Sequence, residues 1–119
     1  GYALHYPERR PLDVARLDLT QISQFRFYEA DEARYPALRL ARAVMQQGKL
    51  WGAAFNAAKE VALDRFIAGD IGFLDMAILV EQALGDMDRA GLLSTVPRDL
   101  TDVLQADQAT RERARTIDV

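Results

Sequence analysis

Few side chains in this sequence are able to do chemistry. His5 is the only imidazole and there is no cysteine. A thiolate zinc site, a catalytic thiol and a disulfide framework are therefore excluded. His5 lies between Tyr2 and Tyr6 in the stretch YALHYPERR, and a lone histidine beside tyrosines is expected to be packed or hydrogen-bonded rather than catalytic. Ser23 and Ser94 stand in no Gly-x-Ser-x-Gly elbow and have no second base around them. Glu60 and Asp64 fall one helical turn apart beside Lys59. A metal site in a helical bundle uses inward carboxylates with a Glu-x-x-His partner, which is missing here, so surface salt bridging is expected of them. Asp99, Asp102 and Asp107 do not have the ligand spacing of a calcium loop, and capping is their expected work. The glycines stand singly, with no Gly-x-Gly-x-x-Gly run and no phosphate loop. No catalytic, cofactor-binding or metal-ligating residue is predicted.

The elements that carry these residues divide the chain in two. Residues 1–34 hold Pro7 and Pro11, no glycine after Gly1, and apolar residues in short alternating pieces, Leu17/Leu19 and then Phe25/Phe27. Such fragments suit extended segments lying against something else. The expectation is a linker with one or two short strands, its opening residues reading as though the chain starts in mid-sequence. From residue 35 the period turns helical. Tyr35-Pro36 suits a helix start, since proline is tolerated in the first turn. Leu38, Ala41 and Met45 share one face with Leu40 and Val44 beside them, and Gly48 ends the helix.

A second helix is predicted from about Trp51 to Ala68, through Ala54, Phe55, Ala58, Val61, Ala62 and Phe66, with Gly69 ending it. A third runs through Leu74, Ile78, Leu79, Val80 and Leu84 to Gly91. Ser94 or Pro97 restarts the chain, a short turn covers Leu100–Leu104, and a last helix begins near Asp107 as its N-cap. The fold class is mostly α: a four-helix-bundle-like domain over residues 35–119, preceded by the extended linker of residues 1–34.

The totals narrow the function classes. A chain of 119 residues is one small domain, and 50% apolar with 28% charged residues is the composition of a globular protein rather than a disordered one. No run approaches the roughly 20 apolar residues of a membrane span. A net charge of −3 argues against a nucleic-acid partner. Arg111, Arg113 and Arg115 cluster near the C-terminus, but their spacing by twos around Glu112 spreads them over a wide arc, which reads as a solvated helix face. The absence of cysteine fits a cytoplasmic protein.

Four stretches together resemble the C-terminal part of the 1-deoxy-D-xylulose 5-phosphate reductoisomerase family. They are YALHYPERRP, FRFYEADEARYPALRLA, FNAAKEVALDRFIAGDIGFLDM and DLTDVLQADQATRERAR, in that order along nearly the whole chain. The first resembles the family's Tyr-Ala-x-x-Tyr-Pro-x-Arg segment, and the third its Asn-Ala-Ala-Asn-Glu helix. The sequence departs from the family where Ala30 replaces a proline, where Lys59 replaces the second asparagine, and where KLWGAAF replaces a lead-in richer in Gly, Ala and Pro. The resemblance implies an isomeroreductase of non-mevalonate isoprenoid biosynthesis that makes 2-C-methyl-D-erythritol 4-phosphate with NADPH and Mg or Mn. It implies a homodimer in which these residues form the tail, with the NADPH-binding and catalytic domains as their partners. The family's Asp-x-Glu metal pair and Gly-rich loop have no counterpart here, so the segment by itself is expected to bind neither cofactor and to be inactive. Tyr2 to Tyr6 are the residues expected nearest the catalytic domain. A stand-alone helical interaction or dimerisation module is the alternative, and a carboxylate-metal helical enzyme the least supported reading.

Overall fold

The computed structural model describes residues 1–119. Six helices follow one another: α1 Tyr2–His5, α2 Leu19–Ile22, α3 Pro36–Gln47, α4 Trp51–Ala68, α5 Asp75–Arg89 and α6 Leu100–Arg115. The last four form the bundle, with α4 packed against α3, α5 and α6. The core runs from Leu40 to Ile117 and draws on all four of these helices, together with Leu50, Ile71 and Leu93 from the connections.

Local chemistry explains the element ends. Pro36 takes the first position of α3 after Tyr35, where its missing N–H is no loss. Gly69 ends α4 with φ of 81°, in the left-handed region that a side chain resists. Its N–H donates to the Phe66 carbonyl at 3.0 Å and the next N–H, of Asp70, to Arg65 at 2.9 Å. Two otherwise orphaned carbonyls are satisfied in this way. The end of α5 repeats the pattern, Gly91 N–H to Asp88 and Leu92 N–H to Met87.

Three details differ from the sequence-based expectation. The linker contains no strand. An isolated strand leaves its ladder of N–H and C=O groups unpaired, and nothing in residues 1–34 offers a second edge. At residues 17–19 the Asp18 carboxylate instead accepts the Thr20 N–H at 2.9 Å and starts the single turn of α2. In α3 the buried face is Leu40 and Val44, while Leu38 and Met45 are exposed. In the last segment one continuous helix, α6, replaces a turn followed by a helix. Asp99 is its N-cap, accepting N–H groups of Thr101 at 2.8 Å and Asp102 at 3.2 Å. Asp107 lies mid-helix, held by Arg111 one turn on. A carboxylate engaged in that way no longer competes for the backbone.

The first third stands apart from the bundle. None of residues 1–34 is buried, and the radius of gyration is 19.3 Å against about 13.5 Å for a compact chain of this length. Leu79 is fully buried and Met45 is not. Leu79→Ala is expected to lower the free energy of unfolding by about 2–5 kcal/mol, and Met45→Ala by less than about 0.5 kcal/mol. Urea titration of the two variants checks this.

Candidate functional site

Several charged side chains of the bundle join its helices. On the α4–α6 side, Arg111 reaches across to Glu60 at 2.7 Å and holds Asp107 of its own helix at 2.6 Å. Asn56 donates to the other Glu60 oxygen at 2.8 Å. The Arg111 hydrogen bond is the main reason that the Glu60 carboxyl lies below its ordinary range, and Arg111 is in turn pushed up by Asp107 and Glu60. Arg65 of α4 donates to the Ala114 and Ile117 carbonyls at 3.2 and 2.6 Å. Those carbonyls close the end of α6, where a cation also meets the negative end of the helix dipole. Arg113 binds Asp86 of α5, which is held below its ordinary pKa chiefly by that bond. Arg39 of α3 chelates both oxygens of Glu81 on α5 at 2.9 and 2.8 Å.

This places the sequence-predicted residues. Glu60 makes an ion pair, and Asp64 is not brought into it. Asp99 caps α6, and Asp102 accepts the Arg98 N–H at 2.9 Å and both ends of its guanidinium. The His5 ring nitrogen lies 3.0 Å from the Gly1 carbonyl, far along the chain from any acid of the bundle. Ser23 and Ser94 sit in connecting segments without a base. The arginine cluster departs from the solvated face expected of it: Arg111 is three-quarters buried at its side chain, 24% exposed, and Arg113 crosses to α5. A side chain's partner 51 residues away leaves no trace in local spacing, so sequence reasoning missed both tethers.

Two features remain unused by the packing. The first is the run of large apolar side chains exposed in residues 1–34, among them Leu17, Leu19, Phe25, Phe27 and Tyr28; Phe27 is 91% exposed. The second is an apolar groove of about 490 Å³ where the start of α3, the middle of α4 and the start of α5 meet. Leu40, Ala62 and Val80 are its buried lining, Phe55, Phe73 and Met76 its more open walls, and Arg34 and Lys59 its only charged residues. A cleft of mixed lining, about 370 Å³, lies beside Leu92, Thr95 and Gln105, but its Arg98 and Asp102 already satisfy each other.

The architecture defines a small helical bundle whose ion pairs tie its helices together and which carries an open apolar groove between α3, α4 and α5. Residues 1–113 match the DXP reductoisomerase C-terminal domain family, and the chain belongs to it. It is 59% identical over 113 residues to the 1-deoxy-D-xylulose 5-phosphate reductoisomerase of Ruegeria pomeroyi, which covers 95% of this chain and 29% of that protein. The enzyme of the same name from Cereibacter sphaeroides is 55% identical over 114 residues, 96% of this chain and 29% of that protein. Among solved structures, the Zymomonas mobilis reductoisomerase in complex with NADPH superposes with a TM-score of 0.84 at 35% identity, over 97% of this chain and 29% of that one. A reductoisomerase structure in complex with magnesium gives the same TM-score at 33% identity, over 95% of this chain and 29% of that one. The chain thus spans less than a third of the length of these relatives. No helix is long and apolar enough to cross a membrane.

Two outcomes test the charge assignments. Arg111→Lys removes the fork that joins Glu60 to Asp107 and is expected to lower the thermal unfolding midpoint, whereas Arg115→Lys leaves it in place; calorimetry distinguishes them. Asp102 is held at about 2 instead of 3.8, mainly by the Arg98 hydrogen bond. A depressed carboxyl favours the folded state above its unfolded pKa and loses that contribution as pH falls through its folded pKa. Stability is therefore expected to decline from pH 3.8 down through about 2, with Glu60 and Asp86 acting in the same sense. Asp102→Asn is expected to make the decline shallower in acid unfolding followed by circular dichroism.

Proposed function

We propose that this chain is the C-terminal portion of a 1-deoxy-D-xylulose 5-phosphate reductoisomerase and supports that enzyme without doing its chemistry. The whole enzyme makes 2-C-methyl-D-erythritol 4-phosphate in non-mevalonate isoprenoid biosynthesis, as a cytoplasmic homodimer using NADPH and a divalent metal. Residues 1–34 are the tail of the catalytic portion, and residues 35–119 are the bundle that buttresses it. The observation that carries this reading is the 59% identity over 113 residues to a protein more than three times as long. The exposed apolar run of residues 1–34 supports it, since that surface requires a cover that the bundle does not supply.

The residues present do not fit the two cofactors. A hard divalent cation needs several free oxygen ligands. Here Glu60 and Asp107 are bound by Arg111, Asp86 by Arg113 and Arg89, and Asp102 by Arg98, and no three acidic or imidazole groups converge. NADPH, whose hydride reduces the rearranged aldehyde, calls for a glycine-rich turn against its pyrophosphate, and the glycines here stand singly, with no glycine-rich turn among them. Both cofactors are assigned to the portion outside this chain. What these residues contribute is rigidity, since an active site whose supports are loose loses activity steeply.

Expression of the longer reading frame tests the proposal. The full-length protein is expected to consume NADPH when given 1-deoxy-D-xylulose 5-phosphate and magnesium, and the 119-residue chain to show no turnover. Turnover by the pure short chain, or none by the full-length protein, would overturn the proposal.

A further inference from the structure

We infer that the apolar groove between α3, α4 and α5 is the seat of an apolar segment carrying a carboxylate, supplied by the part of the reductoisomerase that lies outside these 119 residues. The inference rests on the reading of the chain as a C-terminal portion. Charge is the first argument. Arg34 and Lys59 stand at the groove, no carboxylate lines it, and neither cation makes a salt bridge; the Arg34 guanidinium lies 5.4 Å from the centre of the Tyr35 ring. Of the acids near them, Glu32 is engaged by Arg42, Glu60 by Arg111 and Glu81 by Arg39. Asp31 accepts the Ala33 and Arg34 backbone N–H groups and Asp75 that of Gly72, and Asp64, on the helix of Lys59, does not line the groove. Two unmatched cations beside an apolar surface call for an acidic group beside an apolar one.

Position is the second argument. The groove opens at Arg34–Ala37, where the exposed first third joins the bundle. A partner that covers Phe25, Phe27 and Tyr28 is thus brought to the groove by the chain itself. Shape is the third. Phe73 is 66% exposed and Leu74 64%, so the groove continues into an open apolar shoulder, which suits a protein surface better than an enclosed small molecule. A second copy is disfavoured because a two-fold contact through the same patch sets Arg34 and Lys59 against their own equivalents.

Amide hydrogen exchange on the full-length enzyme tests this, with its turnover measured on the same preparation. Residues 35–41 and 73–77 are expected to exchange about tenfold more slowly in the full-length enzyme than in the 119-residue chain. Lys59→Glu in the full-length enzyme is expected to abolish that slowing, with protection of α5 beyond Leu84 unchanged, which shows that the bundle is still folded. Lys59→Gln is expected to lose part of it. Equal exchange in the long and short chains overturns the inference, and if the enzyme is active the C-terminal assignment survives that failure. Slowing of the short chain that grows with its own concentration assigns the groove to a second copy. Slowing by decanoate, without extra protection in the full-length enzyme, assigns it to an amphiphilic anion. Either result also overturns the inference.

Discussion

The bundle depends on how closely α5 and α6 can approach α4. Ala54, Ala57, Ala58 and Ala62 are all fully or almost fully buried, and their spacing sets them on one broad face of α4. With methyl groups at the contact, neighbouring backbones come nearer than leucine or phenylalanine would permit. Interiors are close-packed, so each such position accepts little added volume. The large residues are supplied from the other side: Leu79, Val80, Leu84 and Met87 from α5, Ile117 and Leu93 from the segments around α6. Against α5 small residues on α4 meet large ones, and against α6 small residues meet small ones, Ala106, Thr110 and Ala114. An inward-facing polar residue in α6 is tolerated because Thr110, fully buried, turns its hydroxyl onto the Ala106 carbonyl at 2.7 Å.

Close approach alone does not select the rotation of α6 about its axis, since alanine and threonine offer little to interlock. The charged contacts supply that selection. Arg111 to Glu60, Arg65 to the Ala114 carbonyl, and Arg113 to Asp86 fix the C-terminal part of α6 against two helices. The arginine fork makes such contacts geometrically demanding. Exposed ion pairs contribute little stability one by one. The value of these is registry, and the acids that provide it are thereby unavailable for catalysis or metal binding.

Helix positions were legible in the residues because glycine and proline punctuate them: Pro36, Gly48, Gly69 and Gly91 mark the ends of α3, α4 and α5 within a residue or two. The start of α6 was harder. Asp99, Asp102 and Asp107 are each able to cap, and only the tertiary structure shows that Asp107 belongs to Arg111 and that Asp102 belongs to Arg98. The strands expected near Leu17 and Phe25 failed for a related reason, because alternation reports which faces are apolar and not whether a pairing edge exists. The α4–α6 tethers and the groove are long-range by nature. Glu60 and Arg111 are 51 residues apart, and Arg34, Lys59 and Phe73 come together only when three helices have packed. Their association has no local signature.

The two halves of the chain answer to different constraints. From Tyr35 on, a buried apolar core forms within the chain and ion pairs tie its helices together. Before Tyr35 there is no such core: large apolar residues recur along the segment, yet none is buried. Large exposed apolar runs are rare on self-contained proteins and mark contact surfaces. The open flank of the bundle and the bare first third meet at Arg34–Pro36. The unfinished surface is therefore continuous, with aromatic residues along its length and two free cations where it enters the bundle. A chain that carries such a surface and spans 29% of the length of its relatives has the form of one side of an interface.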